Sequence, residues 1–127
     1  MSETWTDEEL RGIGGATEVR VASRRPDGTL RPYVTIWGVR SGPDVYIRSA
    51  YGPQNGWFRR AVEAGAGRIQ AGQTERDVTF EPLDSGSPLH GEIDAAYHAK
   101  YDSYGPKIVG SVVGPAATAV TLQVRPS

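Results

Sequence analysis

The sequence predicts a mainly β fold of the α+β class, with six antiparallel strands in a small closed or split β-barrel and short helices at about residues 7–12, 56–64 and 88–104. Two observations support this prediction. Six short segments are predicted as strands, and four of them, residues 17–23, 32–40, 76–82 and 117–125, present two alternating faces, as half-buried strands do. Short turns join neighbouring strand segments, which favours antiparallel pairing over a parallel sheet. The length of 127 residues fits one domain over residues 1–127.

The first half of the chain begins with a helix and continues with three strands. Thr6 and Glu9 fit a capping box at the start of the helix. Alternation predicts strands over residues 17–23, 32–40 and 45–50, separated by turn-forming residues. The first two of these strands form a hairpin.

The middle of the chain places a helix between the third strand and a second hairpin. A glycine-rich bend precedes the helix at residues 56–64, for which Asn55 is the predicted cap. Strands follow at residues 68–71 and 76–82. The chain then gives the helix at residues 88–104, a glycine-rich connector and a sixth strand over residues 117–125.

The charge is unevenly distributed along the chain. The net charge is −1, yet residues 20–68 contain nine arginines against Asp27, Asp44 and Glu63. Arginine grips phosphate and carboxylate groups with two parallel hydrogen bonds, so this segment favours an anionic ligand. Nucleic acid is not the predicted partner, because the strand arginines alternate between faces and a pI near 6.1 does not indicate a dominant basic surface.

The residue types exclude several kinds of chemistry. Without cysteine, the chain has no disulfide, thiolate metal site or cysteine nucleophile. His90 and His98 lie on poorly matched faces of one helix, so no metal site is predicted. The first residues are acidic and no window reaches about 18 consecutive apolar residues, which predicts a cytoplasmic protein without membrane contact.

An anion site is predicted where the third strand leads into the central helix. The strand delivers Arg48 and Ser49 to the glycine-rich bend, the free amides of the helix face that bend, and Arg60 lies on the first turn. A solvated turn followed by a surface helix is the alternative. A second basic group flanks the first hairpin turn and comprises Arg24, Arg25 and Arg31.

The last helix carries the candidates for catalysis. Asp94 and His98 are spaced as in an oriented acid–base pair, although a solvated helix pair has the same spacing. Tyr97, Tyr101 and Tyr104 lie along one stripe, which a core, a dimer interface or a pocket would each explain.

Five segments of the chain share a pattern with a known family. They are residues 24–37, 46–52, 57–61, 67–72 and 93–101. The pattern resembles that of the bacterial family of unknown function DUF2255, over roughly residues 6–126. The family name assigns no activity.

More distantly, the order of elements is similar to that of the split β-barrel flavin-binding proteins, especially the deazaflavin-dependent nitroreductases that use coenzyme F-420. This resemblance implies a homodimer that buries its cofactors between two barrels, with the cofactor phosphate at the bend before the central helix. The basic turn that holds the cofactor tail in that group corresponds to residues 23–28, where Pro26 and Asp27 replace a Lys-Ser pair. Haem, or a pocket without a cofactor, remains an alternative to FMN and coenzyme F-420.

The anion site and the resemblance together define candidate residues for binding FMN or coenzyme F-420. Trp37 and Trp57 are expected beside a bound ring, although burial in the core would also explain them. The set is Arg24, Arg25, Trp37, Arg48, Ser49, Ala50, Tyr51, Asn55, Gly56, Trp57 and Arg60.

Two functions follow from these candidates. The first is a split-barrel oxidoreductase in which the cofactor ring passes hydride to a small organic acceptor, while Tyr97 and Tyr101 shape the acceptor pocket or lend a proton. The second is a cofactor-free protein that binds a small molecule in the same cleft, as a carrier or as a non-redox biosynthetic enzyme. In that case Asp94, His98, Tyr97 and Tyr101 carry the chemistry.

Overall fold

The computed structural model describes residues 4–50, 52 and 54–127, and these residues form one seven-stranded antiparallel sheet. The hydrogen-bonded order is β2-β1-β5-β6-β7-β4-β3. The strands are β1 (Val19–Ser23), β2 (Val34–Ile36), β3 (Gly38–Ser41), β4 (Asp44–Arg48), β5 (Ala66–Ala71), β6 (Thr74–Pro82) and β7 (Thr121–Pro126).

Short helices connect and cover the strands. The predicted capping box starts the first helix, since the Glu9 amide donates to Thr6 Oγ1 (3.1 Å) and the Thr6 amide donates to Glu9 Oε1 (2.9 Å). The helices are α1 (Asp7–Gly15), α2 (Gly56–Ala64), α3 (His90–Tyr101), α4 (Pro106–Val109) and α5 (Pro115–Thr118), with a 3-10 turn at Asp102–Tyr104.

The main difference from the predicted fold lies at Trp37. Residues 32–40 were expected as one strand, but the segment changes partners at Trp37: β2 pairs with β1, and β3 pairs with β4. The chain therefore has seven strands rather than six, and one continuous segment stands at both ends of the sheet. This arrangement confirms the predicted mainly β, nearly closed antiparallel barrel.

The helix bounds also differ from the predicted ones. α1 continues to Gly15, and α3 begins at His90 and ends at Tyr101, where the backbone tightens into the 3-10 turn. The expected connector leads into α5, which places Pro115 in its first turn.

Two buried clusters hold the barrel and α3 together. The larger joins β-strand residues such as Val45 and Ile47 to Phe58 of α2. The smaller lies between α3 and the β3–β4 hairpin and contains Tyr46 and Tyr97. Because side chains alternate along a strand, Arg48 of β4 faces the same side as Tyr46, towards α3.

Candidate functional site

A cavity of about 540 Å³ lies where β2, the start of α2 and the segment around α4 meet. Two indoles, Trp37 and Trp57, belong to its wall, and Asn55 and Ser111 contribute polar groups. The other lining residues are Val34, Thr35, Ile36, Arg48, Ala50, Ile108 and Val112. The cavity is therefore mostly aromatic and aliphatic, with a few hydrogen-bonding groups.

Two smaller hollows continue from the cavity along β2 and α2. A crevice of about 180 Å³ shares Val34 and Trp57 with the cavity. A groove of about 410 Å³, which we call the arginine groove, shares Arg31 and Arg60 with the crevice. The three hollows form one line, from an aromatic end to a basic end. The arginine groove is lined by Arg24, Arg25, Pro26, Arg31, Arg60, Glu63 and Ala64.

The junction of the crevice and the groove holds an unpaired donor. The Nε of Arg31 is buried and has no hydrogen-bond partner among the described residues. Buried polar atoms are nearly always hydrogen-bonded, so this unpaired N–H is an exception among the described residues. Arg60 lies beside it and folds back over the start of α2, with Nη1 2.9 Å from where a Cβ on Gly56 would stand.

The other two arginines of the groove are tied to the first hairpin turn. Arg24 Nη1 donates to Gly28 O (2.8 Å), and Arg25 Nη1 donates to Leu30 O (3.0 Å). Asp27 of the same turn accepts from both the hydroxyl and the amide of Thr29, and these hydrogen bonds lower the pKa of its carboxyl. The acid is therefore engaged within its own turn and does not line the groove.

Arg48 is fully buried and joins four parts of the fold. Its Nε donates to Thr121 Oγ1 of β7 (2.8 Å), and Nη1 donates to Asp94 Oδ1 of α3 and to Val112 O (2.8 Å). Nη2 lies 3.0 Å from His90 Nδ1. Since the Arg48 side chain is sealed from solvent, its guanidinium does not present a free surface to the cavity that the residue borders.

His90 is a member of this cluster that the sequence interpretation missed. An arginine only donates, so His90 Nδ1 accepts from Arg48, and Nε2 carries the proton and donates to Asp84 O (2.8 Å). The partners thus fix one neutral tautomer of the ring. The spacing of His90 and Asp94, four residues apart on one helix, was the signal available in the sequence.

The bend before α2 contains the remaining predicted cofactor-binding residues. Ser49 Oγ donates to Gly52 O (2.7 Å), which stabilises the bend, while Ala50 borders the cavity. Asn55 is the N-cap residue of α2, as predicted, but its side chain makes no capping hydrogen bond. Tyr51 lies outside the described residues.

Two tyrosines of the stripe, Tyr97 and Tyr101, are buried in α3, whereas Tyr104 lies in the 3-10 turn and is half-exposed. Tyr97 donates to Trp37 O (3.1 Å) and Tyr101 donates to Thr17 O (2.8 Å), and both side chains are inaccessible to solvent. Burial raises the pKa of both phenols. Neither ring lines the cavity. Both rings pack in the smaller buried cluster, and their contact with a substrate stays a prediction.

The predicted acid–base residues of α3 are not brought together. Asp94 turns towards Arg48, whereas the exposed His98 pairs through Nδ1 with Asp102 Oδ1 (2.8 Å).

Among the described residues, no group of three histidine, aspartate or glutamate side chains is arranged to hold a metal. In the same part of the chain, no helix is long and apolar enough to cross a membrane.

The fold and the cavity define a small antiparallel β-barrel with a small-molecule-sized hollow at its strand switch. The chain belongs to the DUF2255 family, described as an uncharacterized protein conserved in bacteria, whose profile matches residues 9–124. A comparison with curated proteins gives no match.

Three solved structures share the fold at low sequence identity. An F420 reductase is 19% identical, with a TM-score of 0.56 and 96% of each chain covered. The conserved hypothetical protein Rv2991 from Mycobacterium tuberculosis is 11% identical, with a TM-score of 0.59, covering 100% of this chain and 83% of that one. The FAD and heme binding protein from Mycobacterium smegmatis is 17% identical, with a TM-score of 0.53, covering 98% and 67%.

Proposed function

We propose that this protein is a flavin- or deazaflavin-dependent oxidoreductase acting on a small organic acceptor. The cavity would hold the cofactor ring and the arginine groove its anionic tail. The observation that carries the proposal is the arginine groove, which the crevice links to the cavity through the shared lining residues Arg31 and Trp57. The Nε of Arg31 is sealed, so a phosphate in the groove would meet the terminal guanidinium nitrogens of Arg31 and Arg60.

The aromatic end of the line fits a planar ring. Ligand cavities typically measure roughly 300–1,000 Å³ and are mostly apolar with a few placed polar groups. The cavity meets this description at about 540 Å³, with Trp37 and Trp57 in its wall. Two of the solved structures that share the fold are named for F420 and for FAD and heme, which supports a cofactor of this class.

The basic end fits an extended anion. Four arginines line the groove against one acid, Glu63. FMN carries a single phosphate, whereas coenzyme F-420 carries a phosphate followed by carboxylates. The four arginines of the groove suit the several anionic groups of coenzyme F-420, with FMN as the alternative.

When bound, such a cofactor supplies hydride transfer to or from a small organic molecule. The residues of this chain would bind and orient it. Arg31 and Arg60 would hold the phosphate, the indoles of Trp37 and Trp57 would contact the ring, and Asn55 and Ser111 would offer hydrogen bonds near it.

A homodimer belongs to the same proposal. Tyr104 and Ile108 are the large exposed side chains near the cavity, with 48% and 52% of their surface accessible. A second copy covering them would also exclude water from the cavity. Sedimentation of the purified protein tests this: a dimer supports it, and a monomer at all concentrations contradicts it.

The experiment is a titration of the protein with coenzyme F-420, FMN, FAD and haem, followed by tryptophan fluorescence. We expect saturable quenching by one of them. Arg60→Ala should weaken that binding on the order of 10-fold or more, as loss of a charged hydrogen bond does. Arg59→Ala is the matched control, because Arg59 is the adjacent exposed arginine of α2 and does not line the groove.

Two outcomes would reject the proposal. The first is a protein whose fluorescence responds to none of the cofactors, which favours the cofactor-free alternative. The second is equal loss of binding in Arg60→Ala and Arg59→Ala, which would show that the loss comes from the change in net charge and not from the groove.

A further inference from the structure

One side of the cavity is built from a short segment that is fastened at two points. Residues 105–114, which we call the cavity wall, contribute Ile108, Ser111 and Val112 to the lining. The first fastening is Val112 O, which accepts from Arg48 Nη1 at 2.8 Å. The second is the Gly114 amide, which donates to Asp94 Oδ2 at 3.3 Å.

Both fastenings depend on the same ion pair. Asp94 uses one carboxylate oxygen for Arg48 and the other for the cavity wall. Among the described residues, Asp94 is the carboxylate that pairs with the sealed guanidinium of Arg48. In the described part of the chain, no other residue of the cavity wall is hydrogen-bonded to a charged side chain of α3.

The electrostatics make this pair sensitive to loss of the carboxylate charge. A buried guanidinium is strongly unfavourable unless an opposite charge accompanies it. Without the negative charge of Asp94, Arg48 would need water, and the nearest space is the cavity that Arg48 borders. Val112, which accepts a hydrogen bond from Arg48, lies between the guanidinium and the cavity, so hydrating Arg48 from that side means moving the cavity wall.

We propose that Asp94 is a positioning residue that holds the cavity wall through Arg48 and Gly114, and not a general acid or base. The carboxylate has no contact with His98, its predicted partner, and both of its oxygens are engaged. The proposal rests on the proposed function only in that the cavity is the ligand site. The order of the wall itself is measurable in the protein alone.

Amide hydrogen exchange is the direct test, because the amides of residues 109–112 and 114 in the wall are hydrogen-bonded. Asp94→Asn keeps the shape of the side chain and removes its charge. We expect exchange at least tenfold faster in the wall, with β4 and the body of α3 unchanged. Asp94→Glu, which retains the charge, should restore slow exchange in part.

Asp102→Asn is the matched control. Asp102 follows directly on α3, carries the same charge and is exposed, paired only with His98 among the described residues. It should leave the exchange of the cavity wall as in the wild type. The binding measurement adds a second readout: Asp94→Asn weakens the cofactor and loosens the wall, whereas Arg60→Ala weakens the cofactor with the wall intact.

Three results would overturn the inference. One is wild-type exchange of the wall in Asp94→Asn. Another is fast exchange throughout the barrel in that variant, since Asp94 would then support the whole fold. The third is equal loosening in Asp102→Asn. If no cofactor binds the wild type, the proposed function fails, but the exchange of the wall still decides the role of Asp94.

Discussion

The indole of Trp37 stacks face to face on the ring of Tyr101, with centroids 4.0 Å apart and planes inclined by 9°. Trp37 lies at the point where the chain changes sheet partners, and its carbonyl accepts the Tyr97 hydroxyl. One side of the indole is thereby held by α3, while the residue still borders the cavity. The long helix thus sets the position of an aromatic group that a ligand would meet.

The Tyr101 hydroxyl should contribute measurably to stability. It donates to Thr17 O at 2.8 Å and accepts from the Gly38 amide at 3.3 Å, inside the core. Tyr101→Phe removes both bonds and leaves the buried Gly38 amide without this partner, so we expect a loss of about 1–3 kcal/mol in unfolding free energy. Tyr104→Phe, at a half-exposed ring of the same stripe, is the control and should change little. Equal effects in chemical denaturation would contradict this role.

Arg48 should contribute to the stability of the fold and not to direct contact with a ligand. Arg48→Met removes a buried charge that serves Asp94, His90 and Val112 O together. Asp94 is partly exposed and can take water instead, but the buried acceptors His90 Nδ1 and Val112 O lose their donor, which costs about 1–3 kcal/mol each. Urea unfolding should show a loss of that size. A variant as stable as the wild type, with cofactor affinity alone reduced, would instead support a role in binding the anion.

Lys100 should make stability depend on pH. Its Nζ donates to Ile13 O (3.0 Å) and Gly38 O (2.6 Å), and burial lowers its pKa from 10.5 to about 8. Between these values the folded protein binds fewer protons than the unfolded chain, so the free energy of unfolding rises with pH. Below pH 8 both states are protonated and the contribution is constant.

In Lys100→Met the free energy of unfolding lacks this rise with pH. Comparison of the variant with the wild type therefore isolates the contribution of Lys100. The stability difference between wild type and variant, measured by denaturation from about pH 7 to pH 10, should shift in favour of the wild type above pH 8. Phenols such as Tyr33, whose pKa is raised to about 12, reduce stability only above about pH 10 and do so in both proteins. A difference that falls with pH would mean that the two carbonyls favour the ammonium over the neutral amine.

Gly67 should tolerate no side chain. A Cβ there would lie 2.0 Å from Ala22 O and 2.8 Å from the Phe80 ring, across the β1–β5 pairing. Gly67→Ala should therefore cost at least about 3 kcal/mol, because the backbone of a neighbouring strand must move. Gly91→Ala is the control, since nothing lies within 4 Å of its Cβ position on α3. Thermal unfolding should find it neutral or stabilised by up to about 1 kcal/mol.

Much of the fold could be predicted from local pattern. Alternation located every strand to within a few residues, because one face of each strand is buried. Alternation could not show that the segment around Trp37 divides into two strands, because β-branched and aromatic residues continue through the segment. The division appears only in the pairing, since the two halves pair with different strands. The change of partners is a property of barrel closure, which no short window contains.

The candidate site was less predictable than the fold. The sequence identified the arginines, yet their spacing does not distinguish Arg48, sealed among α3 and β7, from Arg31, whose Nε lies unpaired beside the crevice. Strand alternation assigns Arg48 to the side of Tyr46, but whether that side is covered depends on α3. The same covering explains why Tyr97 is packed in the core and does not line a pocket.

The division at Trp37 also bears on self-association through strands. Exposed strand edges are templates on which another chain adds β-structure. Here the two ends of the sheet are β2 and β3, which have three and four residues and belong to one bent segment. Neither offers a straight edge of the length that an added strand needs, and the bend points the two edges in different directions. Short edge strands of this kind are one of the ways by which proteins limit the pairing of a sheet with another chain.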